Sequence, residues 1–439
     1  MNHKYLDPID KKLQKYFVLL VTSINIFIII FGRAGQEFRI LNYRLGELFI
    51  ALAFFLSIYL LFTNVSKTYK LFVIYNIALL IIDFNFPLSF RLSSFVWAFS
   101  YFFIFKEFNL NEKYIKYIFT LLTIQHILFL VSYHNDVYFN WLNEMFGVGI
   151  YFKPSQQAVV SIFYIGLIKK LKLKLKFNFL ILLLVCLSLN LVLVSSRGAT
   201  LGLIFAFYFL YKNSDKKNER KFLLSIFLVS GLLLVSSYLL PNNNTDNSSQ
   251  FSNIFNYSDL NEFIQITNVD YSQNIEKEYE LSTYDEVSKF EEQCTSQIFP
   301  TNLSFGDGNI NWRYGILVDT FNCVFSSINS IFFGFQYFEV MTPMIIEERD
   351  GLHVGLVNRG YPNYSPHNIL LTVLYYGGFV NLILFFLLIF NINKKVSKLI
   401  SPTLIAFFIG GLFGVVFESV TQIIFWQFIL LEKSISDLK

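Results

Sequence analysis

The stretch HNILLTVLYYGGFVNLILFFLLIF, residues 367–390, decides the fold class. After His367 no charged side chain occurs until Lys394. A helix crossing the hydrocarbon core of a bilayer needs about 20 mostly apolar residues, and the run 368–391 meets that length. Eleven further apolar runs fall near 16–32, 45–63, 71–86, 88–105, 115–132, 155–168, 177–194, 198–211, 222–240, 400–416 and 419–431. The third, sixth, eighth and twelfth in chain order are short and suit tilted or half-inserted segments, so eleven spans is the alternative count. Composition agrees. Hydrophobic residues make up 54% of the 439, charged residues 15%, and Phe outnumbers Trp by 53 to 4; mean hydropathy is +0.50. A water-soluble domain carries far more charge than this. The expected fold is an all-α integral membrane protein of about twelve transmembrane helices. No cleavable signal peptide is expected, because the first run reaches Gly32 and Arg33 without a small-x-small site.

Lysine and arginine orient the spans. With the N-terminus inside and all twelve runs spanning, 24 of the 35 basic residues fall on the inner side, among them Lys11, Lys12, Lys15, Lys169, Lys170 and Lys394. Every short inner loop is basic. Both termini are therefore expected in the cytoplasm. The outer side is chemically different: it holds Arg33, Arg39, Arg44, Arg91, Arg197, Arg313, Arg349 and Arg359, but only Lys153, Lys277 and Lys289. Arginine offers a planar fork that grips phosphate through two hydrogen bonds; codon bias is the competing explanation for the inner lysines. The pattern divides the chain into a bundle over 1–240, a large extracytoplasmic loop over 241–366, and closing spans over 367–439.

The loop is uneven. Residues 241–300 are rich in Asn, Ser, Asp and Glu and have little helical or strand period. Its second half contains WRYGILVDTFNCVFSSI (312–328), with Ile316, Leu317, Phe321, Val324, Phe325 and Ile328 at helical spacing. This predicts an amphipathic helix at the membrane surface or across the bundle, stopped by Gly334. The loop carries 17 acidic and 5 basic residues, so an anion site there must be built locally from particular arginines. Cys294 and Cys323 lie in the loop and Cys186 in an apolar run; the loop pair reads either as a disulfide or as two free thiols.

Three residues stand out. Arg197 occupies SSRGAT, a short outer turn between two apolar helices; Gly198 permits the turn and close backbone approach, Thr200 is a candidate cap, and the following helix N-terminus favours an anion. Snorkelling to lipid headgroups is the plainer role for such an arginine. Arg313 opens the loop helix beside Trp312, where an exposed surface arginine is the plainer reading. His367 sits at the outer end of span ten and can take a proton near neutral pH, or merely cap its helix. His126 and His134 read as structural and His353 as a weaker candidate. Asp83 is a candidate ion-pair partner for Arg91, and Glu418 reads as solvated in a short turn. No metal-ligand spacing, DxD or Walker loop occurs, so neither a metal nor another cofactor is expected, and ATP-driven transport is disfavoured. No role is assigned to Arg33, Arg44, Arg91, Arg349 or Arg359.

An SSRG hinge, one more span, a large loop with an arginine on an amphipathic helix ending near a glycine, and then HNILLTVLYYGGFVNLILF (367–385) occur here in order. Over roughly 177–391 the chain resembles the O-antigen ligase/polymerase superfamily, bacterial enzymes that join glycans carried on undecaprenyl diphosphate. That resemblance implies a metal-independent, GT-C-like glycosyltransferase of the inner membrane in lipopolysaccharide biosynthesis. It implies that Arg197 and Arg313 contact the donor diphosphate and that His367 is the base. The active site is then expected in a cleft between loop and bundle at the outer membrane surface. It also implies an undecaprenyl-diphosphate-linked oligosaccharide as donor and acceptor, with a chain-length regulator protein as a candidate partner and no nucleic acid. The first 60 residues of the loop match no motif.

Within the family a polymerase is the first reading, since polymerases differ widely with their repeat units. A ligase acting on lipid A core is the alternative, and an O-linked protein glycosyltransferase a third. From another class, a polysaccharide flippase or exporter also has twelve spans, but such proteins place charges inside many helices, and most runs here have none. A membrane scaffold leaves the outward arginine bias without a purpose.

Overall fold

A computed structural model describes residues 11–40, 43–82, 92–104, 112–134, 153–170, 179–214, 217–239, 264–266, 303–305, 317–318, 320–335, 337, 368–413 and 421–437. These residues are mostly helical. The helices are α1 (Lys11–Glu37), α2 (Leu45–Leu61), α3 (Lys67–Ile82), α4 (Ser94–Trp97), α5 (Ser100–Ile104), α6 (Glu112–His134), α7 (Pro154–Lys170), α8 (Phe179–Ser195), α9 (Arg197–Lys212), α10 (Lys217–Leu239), α11 (Ile328–Phe333), α12 (Ile369–Val396), α13 (Pro402–Leu412) and α14 (Thr421–Asp437). Two short antiparallel ribbons complete them: β1 (Arg39–Ile40) with β2 (Tyr43–Arg44), and β3 (Ile264–Ile266) with β4 (Leu303–Phe305). Helix therefore lies within each of the twelve apolar runs. Among the described residues, two helices are long and apolar enough to cross a membrane, Tyr114–Val131 within α6 and Ile369–Val396.

The run 88–105 departs from a single helix. It contains α4 and α5 separated by a turn in which Tyr101 N–H donates to Ala98 O at 3.2 Å and Phe102 N–H to Phe99 O at 3.0 Å. All residues from Ser94 to Phe103 are buried. Protein therefore encloses the backbone where the two helices part. In the described part of the run 400–416, residues 400–413, helix covers the 11 residues of α13, about 17 Å against a hydrocarbon core of about 30 Å.

The chain folds as two units. The first comprises 1–73, 94–242 and 388–439. Its centre is the packing of α9 on α13, made possible by small residues: Gly198, Gly202 and Ala206 recur at every fourth position of α9 and are buried. They meet the buried Ala406 and Gly410 side of α13; a Cβ on Gly202 would stand 3.5 Å from Ala406 O. Such stripes let helix backbones approach closely in membranes. Aromatic pairs fill the rest, with Phe163 stacked on Phe428 at 4.1 Å and Phe99 against Trp426 at 4.2 Å. Buried amides tie helices together: Asn25 Nδ2 donates to Gln427 Oε1 at 2.6 Å, and Gln125 Nε2 to Gln157 Oε1 at 2.6 Å. Lys169 pairs with Glu219 at 3.3 Å. The outer faces of α9 and α10 are apolar as well, with Phe205, Tyr208, Phe227 and Leu232 about half or more exposed. Large exposed apolar faces mark sites of membrane or protein contact.

The second unit comprises 74–93 and 243–387. Its described part centres on the first half of α12. Residues 317–318 and 320–324 are helical, and Leu317 and Phe321 pack on buried Leu371. The amphipathic segment read as one helix over 312–328 is interrupted at 325–327. Ser327 caps a new helix, α11, accepting from Ser330 N–H at 3.0 Å, while Ser330 Oγ accepts from Ser327 N–H at 3.1 Å. Side-chain oxygens of serine compete with the helical ladder in this way. Gly334 ends α11 with φ 68°, the stop expected of it. Cys323 is buried and disulfide-bonded, Cys186 is free, and the third cysteine of the sequence, Cys294, lies outside the described residues.

Candidate active site

Helix α8 runs into α9 through one residue. Ser196 N–H still donates to Val192 O at 3.2 Å, but Ser196 itself is extended (φ −155°, ψ 117°). Its Oγ accepts from Ala199 N–H at 3.3 Å, making Ser196 the N-cap and Arg197 the first helical residue. The cap expected of Thr200 is therefore supplied by Ser196. Thr200 instead ties the joint: its hydroxyl faces Leu193 O at 3.1 Å on α8 and Ser196 O at 2.9 Å. Arg197 is half-buried. Gly198 is needed for packing more than for the turn, since a Cβ there would stand 2.2 Å from Phe413 Cβ. The α13 terminus thus sits directly on the hinge beside Arg197.

The HN motif forms a second capped terminus. Asn368 Oδ1 accepts from Leu370 N–H at 2.9 Å and Leu371 N–H at 3.2 Å, and α12 follows. His367 is the residue before this cap; His367 itself, Arg313 and Trp312 lie outside the described residues, as do Asp83, Arg91, His353 and Glu418. His126 fits the structural role assigned to it. Buried on α6, it faces Leu122 O through Nδ1 at 2.8 Å and Ser161 Oγ through Nε2 at 3.3 Å. Both ring nitrogens are satisfied in the neutral form. His134 ends α6.

One arrangement escaped the sequence reading. Helix α12 breaks at Gly378 (φ 63°, ψ −167°), and the tip of α11 fills the break. Phe335 N–H donates to Tyr375 O at 2.7 Å, and a Cβ on Gly334 would stand 2.4 Å from that same carbonyl. A buried polar cluster closes the joint. Asn76 Nδ2 donates to Asn381 Oδ1 at 2.9 Å and Asn381 Nδ2 to Asn76 Oδ1 at 3.1 Å. Tyr337 O–H donates to Asn76 Oδ1, and Tyr75 O–H to Gly377 O at 2.9 Å. Burial holds the Tyr337 phenol well above its ordinary pKa, so it stays a donor. The signal available in the sequence was an asparagine in each of two apolar runs, together with the Gly377–Gly378 pair.

Among the described residues no three His, Cys, Asp or Glu side chains gather as metal ligands. Comparison with protein-family models, with curated proteins and with solved structures finds no match.

Proposed function

We propose that this chain is a membrane-embedded glycosyltransferase that polymerises lipid-linked glycans. It has twelve spans, both termini in the cytoplasm, a GT-C-like bundle, and the 241–366 loop outside. The observation that carries the reading is that the two motifs behind the family resemblance both fall at capped helix N-termini. Arg197 opens α9 behind Ser196, and Asn368 caps α12 directly after His367. The helix dipole favours negative charge at such ends. The Cys323 disulfide suits an oxidising, extracytoplasmic compartment for the loop.

In this reaction Arg197 and Arg313 bind the undecaprenyl diphosphate and neutralise charge growing on it as it leaves. His367 takes the proton of the acceptor sugar hydroxyl. That oxygen bonds to the anomeric carbon of the donor glycan, the bond from that carbon to the diphosphate breaks, and undecaprenyl diphosphate departs with the electron pair. The glycan moves en bloc onto the next lipid-linked repeat unit.

A deletion strain tests the class: a gel of its surface glycan should show lipid A core bearing one repeat unit. Core with none, and lipid-linked polymer accumulating, would make the chain a ligase. Full-length glycan from Arg197→Ala or His367→Ala at normal protein level would refute the assigned roles.

A further inference from the structure

Among the described residues three pairs of side-chain amides meet in the interior, and one of them is only half closed. Gln125 and Gln157 bond in both directions, at 2.6 and 3.3 Å, as do Asn76 and Asn381, at 2.9 and 3.1 Å. Asn25 on α1 and Gln427 on α14 bond in one direction, Asn25 Nδ2 donating to Gln427 Oε1 at 2.6 Å. Asn25 Oδ1 and Gln427 Nε2 are left buried, with no hydrogen-bond partner among the described residues. Exchanging O and N in both amide heads changes nothing in this count, because one acceptor and one donor are still left over.

The walls around the pair are aromatic. Beside Gln427, Trp426 lies 4.2 Å from Phe99 and 4.9 Å from Phe407 of α13, and Phe428 lies 4.1 Å from Phe163 of α7. Asn25 is 1% exposed and Gln427 3%, so bulk solvent does not reach them. A donor and an acceptor buried without partners destabilise a fold, and native interiors satisfy nearly all such groups. Here the two lie close together. The O and N of one amide head are about 2.2 Å apart. Across the 2.6 Å bond the two open atoms therefore lie within about 7 Å of each other. A water bonded to both spans up to about 6 Å. It would accept from Gln427 Nε2 and donate to Asn25 Oδ1, and its second proton suits the spare lone pair of a helix carbonyl, which gives the three bonds usual for a buried water.

We infer that a water molecule is bound between Asn25 and Gln427 and joins α1 to α14. The ligand is a single small hydroxyl-bearing molecule, since the site is enclosed on the sides that Phe99, Phe163 and Phe407 occupy. The site is independent of the transferase reaction.

The test is radiolytic footprinting of the purified full-length protein. An X-ray pulse splits water into hydroxyl radicals, which oxidise the side chains next to the water they came from, and mass spectrometry reads the oxidised residues. A scavenger in the buffer removes radicals born in bulk solvent. Ile26 and Phe428, the buried chain neighbours of the pair, should be oxidised with scavenger present. Asn25→Leu/Gln427→Met should lower that oxidation several-fold. Gln427→Met alone keeps the length and volume of the side chain and should lower it too, which decides the matter if the double variant does not fold. No oxidation of either residue in the wild type, its loss on adding scavenger, or its persistence in the variants overturns the inference.

Discussion

Replacing Gly378 by alanine is the sharpest probe of the broken α12. Two costs add. At φ 63° and ψ −167° the backbone occupies a region that is essentially reserved for glycine, at about 1–3 kcal/mol for other residues. The new Cβ would also stand 2.3 Å from Phe332 C and 2.4 Å from Phe332 O. These are backbone atoms, so no rotamer change makes room and the α11 tip must withdraw. Withdrawal breaks the 2.7 Å bond from Phe335 N–H to Tyr375 O and separates the Phe335 and Tyr375 rings, stacked at 4.9 Å. A net hydrogen bond and an aromatic pair each contribute roughly 1 kcal/mol. The sum is about 3–5 kcal/mol, a fall in melting temperature on the order of 10 °C. The assay is thermal unfolding of purified protein in one detergent, with Gly231→Ala as control, because a Cβ at Gly231 meets nothing within 4 Å. That control should melt at or slightly above wild type, since alanine favours helix. Gly378→Ala melting within a degree or two of Gly231→Ala would refute the account of the joint.

Three further outcomes follow from the packing. Gly198→Ala should destabilise by about 1–3 kcal/mol; because the clash is with Phe413 Cβ at 2.2 Å, Phe413→Gly should restore the melting temperature and Phe413→Ala should not. Asn381→Leu should cost about 1–3 kcal/mol by removing both amide hydrogen bonds between Asn381 and Asn76, whereas Asn76→Leu/Asn381→Leu should cost less than the two single changes combined, measured as a double-mutant cycle. With Cys323 disulfide-bonded and Cys186 free, maleimide labelling of denatured, unreduced protein should modify one thiol per chain and all three only after reduction; three labelled thiols without reductant would remove the bridge.

Much was legible from residue order because the relevant forces are local. Long uncharged runs such as 368–391 become helix wherever water is scarce, since only a helix satisfies its own backbone within one segment. Gly334 as a stop follows from its tolerance of positive φ. The SSRG and HN motifs mark helix starts because serine and asparagine oxygens reach free N–H groups within three residues; the cap expected at Thr200 falls instead on Ser196, since both oxygens compete for the same short turn.

Other features depend on residues far apart in the chain. The run 88–105 has the composition of a span, yet its described residues divide into α4 and α5, and 92–103 are all buried among protein, where such irregular backbone is tolerated. Gly198 reads as a turn residue until Phe413, 215 positions later, is packed against it. The Gly377–Gly378 pair would be only a weak spot in α12 without the α11 tip and the Asn76–Asn381 clasp that occupy the break. By itself the sequence determined the helical content, the helix starts and the candidate residues Arg197, Arg313 and His367. Tertiary structure decided where helices break and which glycines are obligatory, because those depend on atoms that chain order keeps apart and close packing brings within van der Waals reach.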